Sequence, residues 1–402
     1  MGAFLKTLAE RTSEKHQDSG SRTNAAKART AARNHHGRPE KLPEVTLSIV
    51  AHGLRMDADL SQVTPDGSLK RIASGSAHRP AFHDLLSAGQ KLGTLGETAR
   101  LGAMLSRYGF RDVLAALESL EENTIVQLSC SPETEALPWE WLVVSGLPLC
   151  LRNPVVRRPV MIGDKARGFP FVGQPFRALI ISDTMAESSL GTALPGARDE
   201  GMQIAKILAG RQQTEDGSPE NHVTLLLGAE ATYTRVLQEV EEGDYDVIHF
   251  AGHASADERE SFIALHDGFV RSSELVSPLN RRPPALMFLN SHVTAFLPLF
   301  LHRSQESEQE AEDWPSDFTP RGFTHMAART GTGAFIGTFS KWLADETSAS
   351  LAKAFYGHLM NGCPVAVALH KARKQVVTFE DVSGLFFSLS GYANVALRAR
   401  CR

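Results

Sequence analysis

A buried strand that ends at a glycine and a histidine constrains the fold of this chain more than any other feature. The apolar run Val247–Ala251 is followed directly by Gly252 and His253. About forty residues later, a second apolar run at 285–289 ends at Asn290-Ser291-His292. Short apolar runs with abrupt ends are typical of strands in a buried sheet. The two runs therefore predict strands that each deliver a reactive side chain to the same sheet edge.

The segments around these two strands alternate between strand and helix patterns. In chain order, they predict a strand at 177–183, a helix at about 195–210, a strand at 223–227 and a helix at 232–242. Thr232 is a candidate cap for the last of these helices. This alternation places helices on both faces of a parallel sheet. Asp183, His253 and His292 then fall at strand carboxyl ends, where the reactive groups of such sheets gather.

The part of the chain before residue 166 predicts a smaller α/β unit. Its predicted elements are a strand at 46–51, a helical region near 79–121, a strand at 124–128 and a hairpin at Gly146–Pro148. Residues 166–176 are rich in glycine and proline and predict a linker. We therefore expect an N-terminal subdomain at 45–165 and a C-terminal subdomain at 177–400.

Two segments are predicted to lie outside the packed core. Residues 1–44 are polar and basic, and we favour a disordered or partly helical solvated arm over a basic tether for a partner or for nucleic acid. Residues 302–320 carry six acidic side chains and few apolar ones, which predicts an exposed acidic loop. Neither segment is expected to shape the core.

The composition excludes several classes of protein. A net charge of -4 and a pI near 6.4 argue against a polyanion-binding protein as a whole. The four cysteines contain no CxxC pair, which argues against a disulfide framework and a cysteine-rich zinc site and favours a reducing, cytoplasmic compartment. No apolar run reaches the roughly twenty residues of a membrane helix. The chain is therefore predicted to act away from membranes.

Six segments, in a fixed order, resemble the CHAT domain, a bacterial caspase-like module related to caspases and separase. They are Leu137–Leu142 (PWE-L), Arg157–Pro159, Leu194–Glu200 (LPGA..E), Tyr245–His253 (HFAGH), Gly331–Thr338 with the later Asp345, and Phe355–Leu369 (FY..L..G.PVA.AL). The resemblance extends over about residues 46–398. It implies an α/β fold: a caspase-like parallel-sheet sandwich with helices on both faces, preceded by a smaller pseudo-caspase-like half.

The resemblance also implies which positions are catalytic, and at one of them this sequence differs from the family pattern. The family histidine corresponds to His253, and the family cysteine ends a Leu-x-Ala-Cys-like element that corresponds here to Leu289–His292. His292 therefore stands where the nucleophilic thiol is expected. The backbone amides of Gly252 and Ala254 are candidate oxyanion donors by their place in the chain.

The same resemblance suggests how a substrate is held. Caspase relatives with a basic preference place an acid near Asp183, so Asp183 and Asn290 are candidates for lining a pocket for Arg or Lys. The alternative for Asp183 is a helix or loop cap. Two neutral, hydrogen-bonded imidazoles are preferred over a transition-metal site at His253 and His292, and we expect neither a metal nor a cofactor.

Three functions follow, and the sequence leaves them open. An imidazole is a poor replacement for a thiol nucleophile, so the first is a pseudoprotease that binds a peptide or protein partner, such as a regulatory protein or effector complex, in bacterial defence or signalling. The second is an active cysteine endopeptidase with a basic preference whose nucleophile is substituted in this sequence. The third is a scaffold or nucleic-acid tether that uses the basic arm, ranked last because the folded part is acidic on balance.

Overall fold

The computed structural model describes residues 42–53, 55–64, 68–78, 95–107, 110–135, 137–158, 171–173, 175–185, 193–210, 221–256, 260–291, 294, 322–339, 345–378 and 381–398. The strands are β1 (Glu44–His52), β2 (Arg55–Val63), β3 (Leu69–His78), β4 (Ile125–Cys130), β5 (Val143–Val144), β6 (Leu147–Pro148), β7 (Val155–Arg158), β8 (Phe171–Gly173), β9 (Arg177–Ser182), β10 (His222–Leu227), β11 (Val247–Ala251), β12 (Ala254–Ala256), β13 (Ser261–Ala264), β14 (Phe269–Arg271), β15 (Leu286–Asn290), β16 (Ala334–Thr338), β17 (Phe387–Gly391) and β18 (Ala396–Arg398). The α-helices are α1 (Leu95–Arg107), α2 (Arg111–Glu118), α3 (Pro132–Glu135), α4 (Leu149–Arg152), α5 (Pro195–Ala209), α6 (Tyr233–Glu242), α7 (Val276–Arg281), α8 (Phe323–Thr330), α9 (Asp345–Met360) and α10 (Val365–Val376).

One mostly parallel sheet runs through both halves of the described chain. Its eleven strands lie in the order β10-β9-β11-β15-β16-β17-β7-β4-β1-β2-β3. β17 is antiparallel to β16 and parallel to β7, so the parallel strands of the N-terminal half run opposite to those of the C-terminal half. The predicted fold class, an α/β caspase-like sandwich, is confirmed, whereas the division into two subdomains stays a prediction.

Apolar side chains on both faces of the central strands explain why the sheet is buried. In β9, Ile180 packs into one core cluster with α5, α9 and α10, whereas Leu179 and Ile181 pack into another with α6, α7 and α8. β11 and β15 are buried along their whole length. Because successive side chains of a strand point to opposite faces, such strands must read as continuous apolar runs. This is the pattern that made them predictable.

A buried ion pair joins the two halves where β7 meets β17. The guanidinium of Arg157 donates to both carboxylate oxygens of Glu140, at 2.7 and 2.5 Å, and also to the carbonyls of Glu135 and Leu137. Ser388 in β17 donates to the same carboxylate at 2.8 Å. Burial alone would raise the pKa of Glu140, but the charge and hydrogen bonds of Arg157 outweigh it and lower the pKa. Two of the family-like segments are therefore brought together as a structural unit.

The helix cap predicted at Thr232 is confirmed. The Thr232 hydroxyl accepts a hydrogen bond from the Arg235 amide at 3.3 Å, at the start of α6. The predicted hairpin is also present, because β5 and β6 pair on either side of Ser145 and Gly146, which both have positive φ.

The described structure adds detail to the sequence predictions at three places. β2 and β3 were expected neither as strands nor as part of the sheet, because β3 is mostly exposed and is held by its pairing with β2 rather than by an apolar pattern. Of the helical region expected near 79–121, residues 79–94 lie outside the described residues, and the described part contains α1 and α2. The linker expected at 166–176 contains β8, which pairs in parallel with β18.

Several predicted segments lie outside the described residues: the arm up to residue 41, the acidic loop 302–320, and His292. β1 begins at Glu44, two residues before the strand start expected from the sequence. Within the described residues, no helix combines the length and the apolar character needed to cross a bilayer.

His370 predicts a specific loss of stability in acid. The ring is 4% exposed, its Nδ1 donates to the Cys150 carbonyl at 3.1 Å, and burial lowers its pKa to about 4. Below pH 6.5 the unfolded chain takes up a proton that the folded chain resists, so stability falls until about pH 4. Between pH 7 and 4.5, we expect the wild type to lose about 2 to 3 kcal/mol more than His370→Gln, measured by urea unfolding. The assignment would be contradicted if the free energy of unfolding changed equally with pH in the wild type and in His370→Gln.

Candidate functional site

The carboxyl ends of three neighbouring strands lie side by side in the C-terminal half. Ser182 at the end of β9 faces Ala251 at the end of β11, and Ala251 faces Asn290 at the end of β15. The backbone there is further tied, because the Asp183 amide donates to the Ala251 carbonyl at 3.0 Å. The sequence prediction that these strand ends form one edge is therefore consistent with the register of the sheet.

A pocket opens at this edge of the sheet. Its lining residues are Leu194, Ala197, Glu200, Ala251, Gly252, Asn290, Ser291, Asp345 and Ser348. They come from the ends of β11 and β15 and from the beginnings of α5 and α9. α5 can approach β9 closely because Gly201 has no side chain: a Cβ there would lie 2.5 Å from the Cβ of Ser182. This close approach places Glu200, the preceding residue, against the strand ends.

Glu200 is the acid at the base of the pocket. It is 2% exposed, and the side-chain amide of Asn290 donates to its two oxygens at 2.8 and 2.7 Å. Nε2 of His249 lies 3.1 Å from the Glu200 carboxylate, without the alignment of a hydrogen bond. The two contacts from this one amide nitrogen hold the carboxylate in a fixed orientation. Asn290 therefore lines the observed pocket and positions its acid, and its role in binding a substrate stays a prediction.

His249 extends this polar chain into the core. It is fully buried, as expected for a structural histidine, and the Tyr356 hydroxyl lies 3.3 Å from its Nδ1. Burial, and then the nearby charge of Glu200, raises the pKa of Tyr356 well above its ordinary value. Tyr356 therefore keeps its proton and can donate it to His249. The chain Tyr356, His249, Glu200 and Asn290 connects α9 to the strand ends.

Ser291 contributes a hydroxyl to the pocket. The residue is 4% exposed, and its Oγ has no hydrogen-bond partner among the described residues. Its carbonyl accepts a hydrogen bond from the Thr338 hydroxyl, which fixes the backbone just after β15. A buried hydroxyl without a partner costs free energy unless a ligand or water satisfies it. This atom is therefore available to a bound polar group.

Asp183 makes the contacts of a loop cap. Its φ of 52° is left-handed, and its carboxylate accepts from the Leu194 amide at 3.1 Å and lies 3.4 Å from a guanidinium nitrogen of Arg198. It is 3% exposed and is not among the residues that line the pocket. These contacts fit the capping alternative, and a substrate-binding role for Asp183 stays a prediction.

The histidine strand ends as predicted, with Gly252 directly after β11 and His253 next. His253 is partly buried, and its carbonyl accepts from the Ala264 amide at 2.9 Å. Gly252 is required by packing, because a Cβ at this position would lie 2.8 Å from the Phe250 ring. The catalytic role of His253 stays a prediction.

The two candidate oxyanion donors are in different situations. The Gly252 amide donates to the Asn290 carbonyl at 3.4 Å, a long hydrogen bond that ties β11 to β15. Ala254 faces Ile263 across the β12–β13 ladder, and the neighbouring bond from Ala264 to His253 makes this a non-hydrogen-bonded pair. The Ala254 amide is therefore directed away from β13. The Gly252 amide is thus used in the sheet and the Ala254 amide is not used in the β12–β13 ladder, and both oxyanion roles stay predictions.

The described cysteines lie away from the pocket. Cys130 and Cys150 are buried in the N-terminal half, and burial raises their pKa to about 12 and about 11. Cys363 lies in the turn between α9 and α10, where the Lys371 ammonium is 3.5 Å from its sulfur. None of the three is among the pocket residues. Position 292, where the resemblance expects a thiol, falls outside the described residues.

The polar pocket residues that were not assigned a role from the sequence alone are Glu200, Ser291, Asp345 and Ser348. Glu200 and Asp345 belong to the family-like segments, which is the signal that could have identified them, but each lies in the first turns of a helix far from β11 and β15 in sequence. In the described part of the chain, no three His, Cys, Asp or Glu side chains come close enough to hold a metal ion together.

Comparison with known protein families identifies a match. A family model described as the CHAT domain matches residues 142–383, which include α5, β11, β15 and the start of α9. The matched region therefore contains every residue that lines the pocket. No curated protein matches the chain.

Proposed function

The chain belongs to the CHAT domain family, and from this premise we propose that it is a caspase-like pseudoprotease, which binds a peptide segment of a protein partner without hydrolysing it. The observation that carries the proposal is a contrast at one sheet edge. The pocket is built from buried, hydrogen-bonded side chains, whereas the sequence has an imidazole, His292, where the family thiol is expected.

The chemistry at this edge supports binding rather than hydrolysis. A caspase-like mechanism needs a sulfur that ionises near neutral pH beside a histidine. The thiols of Cys130 and Cys150 are buried, have raised pKa values and lie in the other half of the chain. Loss of a nucleophile leaves only the small residual rate that binding and an oxyanion hole provide. We infer that such a module belongs to a bacterial defence or signalling assembly, in which its function is to bind a partner.

A peptide-library experiment tests the proposal. The pure chain is incubated with peptides that contain Lys or Arg, and both binding and cleavage are followed by mass spectrometry and fluorescence anisotropy. We expect selective binding of some peptides and no cleavage above the buffer rate. His253→Ala should leave the absence of cleavage unchanged.

Three other results would contradict all or part of this proposal. Turnover that disappears in His253→Ala would refute the pseudoprotease proposal. Turnover that disappears in Ser291→Ala would assign the nucleophile to the unpartnered hydroxyl in the pocket wall. Binding of no peptide at all would remove the partner-binding role.

A further inference from the structure

We propose that the basic N-terminal segment, residues 1–41, binds in the pocket at the strand carboxyl ends of its own chain and occupies it until a partner peptide displaces it. The inference rests on the proposed function of this pocket as a peptide-binding site. It adds a regulator, which is part of the same polypeptide, and a chemical class for the ligand, which is a lysine or arginine side chain.

The pocket has the charge of a cation site. Glu200 lies at its base and the exposed Asp345 lies at its mouth. Among the described residues, no lysine or arginine lies within ion-pairing distance of either carboxylate. The Ser291 hydroxyl adds an acceptor that makes no hydrogen bond to any of the described residues. Two carboxylates and a hydroxyl are what an ammonium or guanidinium group binds.

The N-terminal segment has the complementary charge. Its nine Lys and Arg residues are Lys6, Arg11, Lys15, Arg22, Lys27, Arg29, Arg33, Arg38 and Lys41. They stand against four acids, so the segment carries +5, and the chain's net charge of -4 leaves -9 for residues 42–402. Residues 19–39 contain five of the cations and no acid. This stretch is therefore the best matched to the pocket.

The topology of the sheet places the start of β1 at the same edge as the pocket. Glu44 in β1 faces Ile125 in β4, and β4, β7 and β17 run parallel to β1. Phe387, the first residue of β17, faces Thr338, the last residue of the antiparallel β16. The beginning of β1 therefore lies at the edge where β16, β15 and β11 end. In a sheet whose strands all ran one way, it would lie at the opposite edge.

The distance along this edge is set by strand spacing. β1 is five strands from β15 and six from β11. At about 4.8 Å per strand, the pocket lies about 24 to 29 Å from the start of β1. The anchor is fixed, because Leu42 packs against the core and the Pro43 carbonyl accepts from the Ile125 amide at 2.8 Å.

The reach of the chain decides which cations can enter the pocket. An extended chain spans about 3.3 to 3.6 Å per residue, so at least about eight residues must separate the anchor from the bound cation. Arg33 and every cation before it satisfy this condition. Arg38 is four residues from Leu42, a span of about 14 Å, and Lys41 is adjacent to it. These last two cations cannot reach and provide a natural control.

Tethering makes even a weak interaction effective. A linked segment experiences an effective concentration on the order of millimolar. A segment that binds in trans with a Kd of about 0.1 mM would then occupy its own pocket in about nine chains of ten. A competing peptide would lose about tenfold in apparent affinity.

A competition experiment with the full chain tests the inference. The probe is a fluorescent synthetic peptide of residues 19–36, titrated against the wild type, against a variant with all seven reachable cations changed to Gln, and against Arg38→Gln/Lys41→Gln. We expect the sevenfold variant to bind the peptide about tenfold more tightly than the wild type. The double variant should stay within twofold of the wild type. Adding Asp345→Asn or Glu200→Gln to the sevenfold variant should weaken binding at least tenfold.

The outcomes separate this inference from the proposed function. Equal peptide binding by the wild type and the sevenfold variant would overturn occupation in cis, while leaving the pocket a peptide-binding site. Failure of the peptide to bind either protein would also overturn it, and the library experiment would then decide the proposed function alone.

A photocrosslinking experiment locates the segment. p-Benzoylphenylalanine in place of Ala31 should crosslink within one chain to the pocket residues, and Asp345→Asn should reduce that product. Crosslinks to residues 302–320 would make the acidic run the occupied surface, and crosslinks between chains would make a second copy the acceptor. Either result overturns the inference.

Discussion

Glu140→Ala is expected to destabilise the chain by about 3 to 5 kcal/mol, which is a large part of the stability of an ordinary domain. The change leaves the Arg157 guanidinium charged and 2% exposed, and removes the carboxylate that pairs with it. It also removes the acceptor of the Ser388 hydroxyl, so the junction of β7 and β17 loses a bond on each side. Urea unfolding at pH 7, followed by tryptophan fluorescence and circular dichroism, measures the effect.

Matched variants separate burial from charge. Glu241→Ala removes one partner of an exposed pair, in which Arg281 lies 2.8 Å from Glu241, and should change stability by less than about 1 kcal/mol. Glu140→Leu/Arg157→Met should recover most of the loss, because replacing a buried pair with apolar side chains is often close to neutral. A cost below about 1 kcal/mol for Glu140→Ala would show that Arg157 finds another partner and that the junction does not depend on this pair.

The role of this pair could not be assigned from the sequence. Glu140 and Arg157 lie in two short family-like segments, and nothing in either segment shows that they meet. Their contact depends on β7 being placed between β4 and β17, a neighbour relation between strands separated by over two hundred residues. Two segments that resemble a caspase-like family thus serve the assembly of the sheet rather than its chemistry.

The burial of each strand determined whether it could be predicted from the sequence. β9, β11 and β15 are buried on both faces and appear as unbroken apolar runs, so their presence and their ends were predictable. β2 has the alternation of a half-buried strand, with Met56, Ala58 and Leu60 inward, but it is interrupted by acids and was not predicted. β3 has almost no apolar signal of its own.

The residues of the candidate site also divide into those that could be predicted from the sequence and those that could not. Gly252 and Asn290 lie at the ends of predicted strands and do line the pocket. Glu200 and Asp345 come from helix beginnings, and their convergence depends on the packing of α5 and α9 against the strand ends, which no local pattern contains. Asp183 also ends a predicted strand, but a left-handed backbone turns its carboxylate toward Leu194. Position along a strand was therefore predictable, and the direction of the side chain after the strand was not.

His292→Cys is expected to give the chain peptidase activity, with cleavage after Lys or Arg. The change supplies a thiol, which ionises far more readily than a hydroxyl, at the position where the sequence resemblance predicts the nucleophile. Because loss of such a nucleophile costs on the order of 10⁴- to 10⁶-fold in rate, we expect at least a 10³-fold gain over the wild type. The measurement is the release of a fluorophore from Lys and Arg peptides, with the wild type in parallel.

The controls for this gain follow from the proposed roles of the neighbouring groups. His253→Ala/His292→Cys should lose the new activity, because the thiol then lacks its base. The peptidase activity of His292→Ser should remain near that of the wild type, because a hydroxyl is not ionised at neutral pH. Activity of His292→Cys should be higher when the seven reachable N-terminal cations are changed to Gln, if these occupy the pocket of their own chain. An inert His292→Cys protein, even with those cations removed, would show that more than a sulfur atom separates this pocket from a working peptidase, and would leave binding as its sole chemistry.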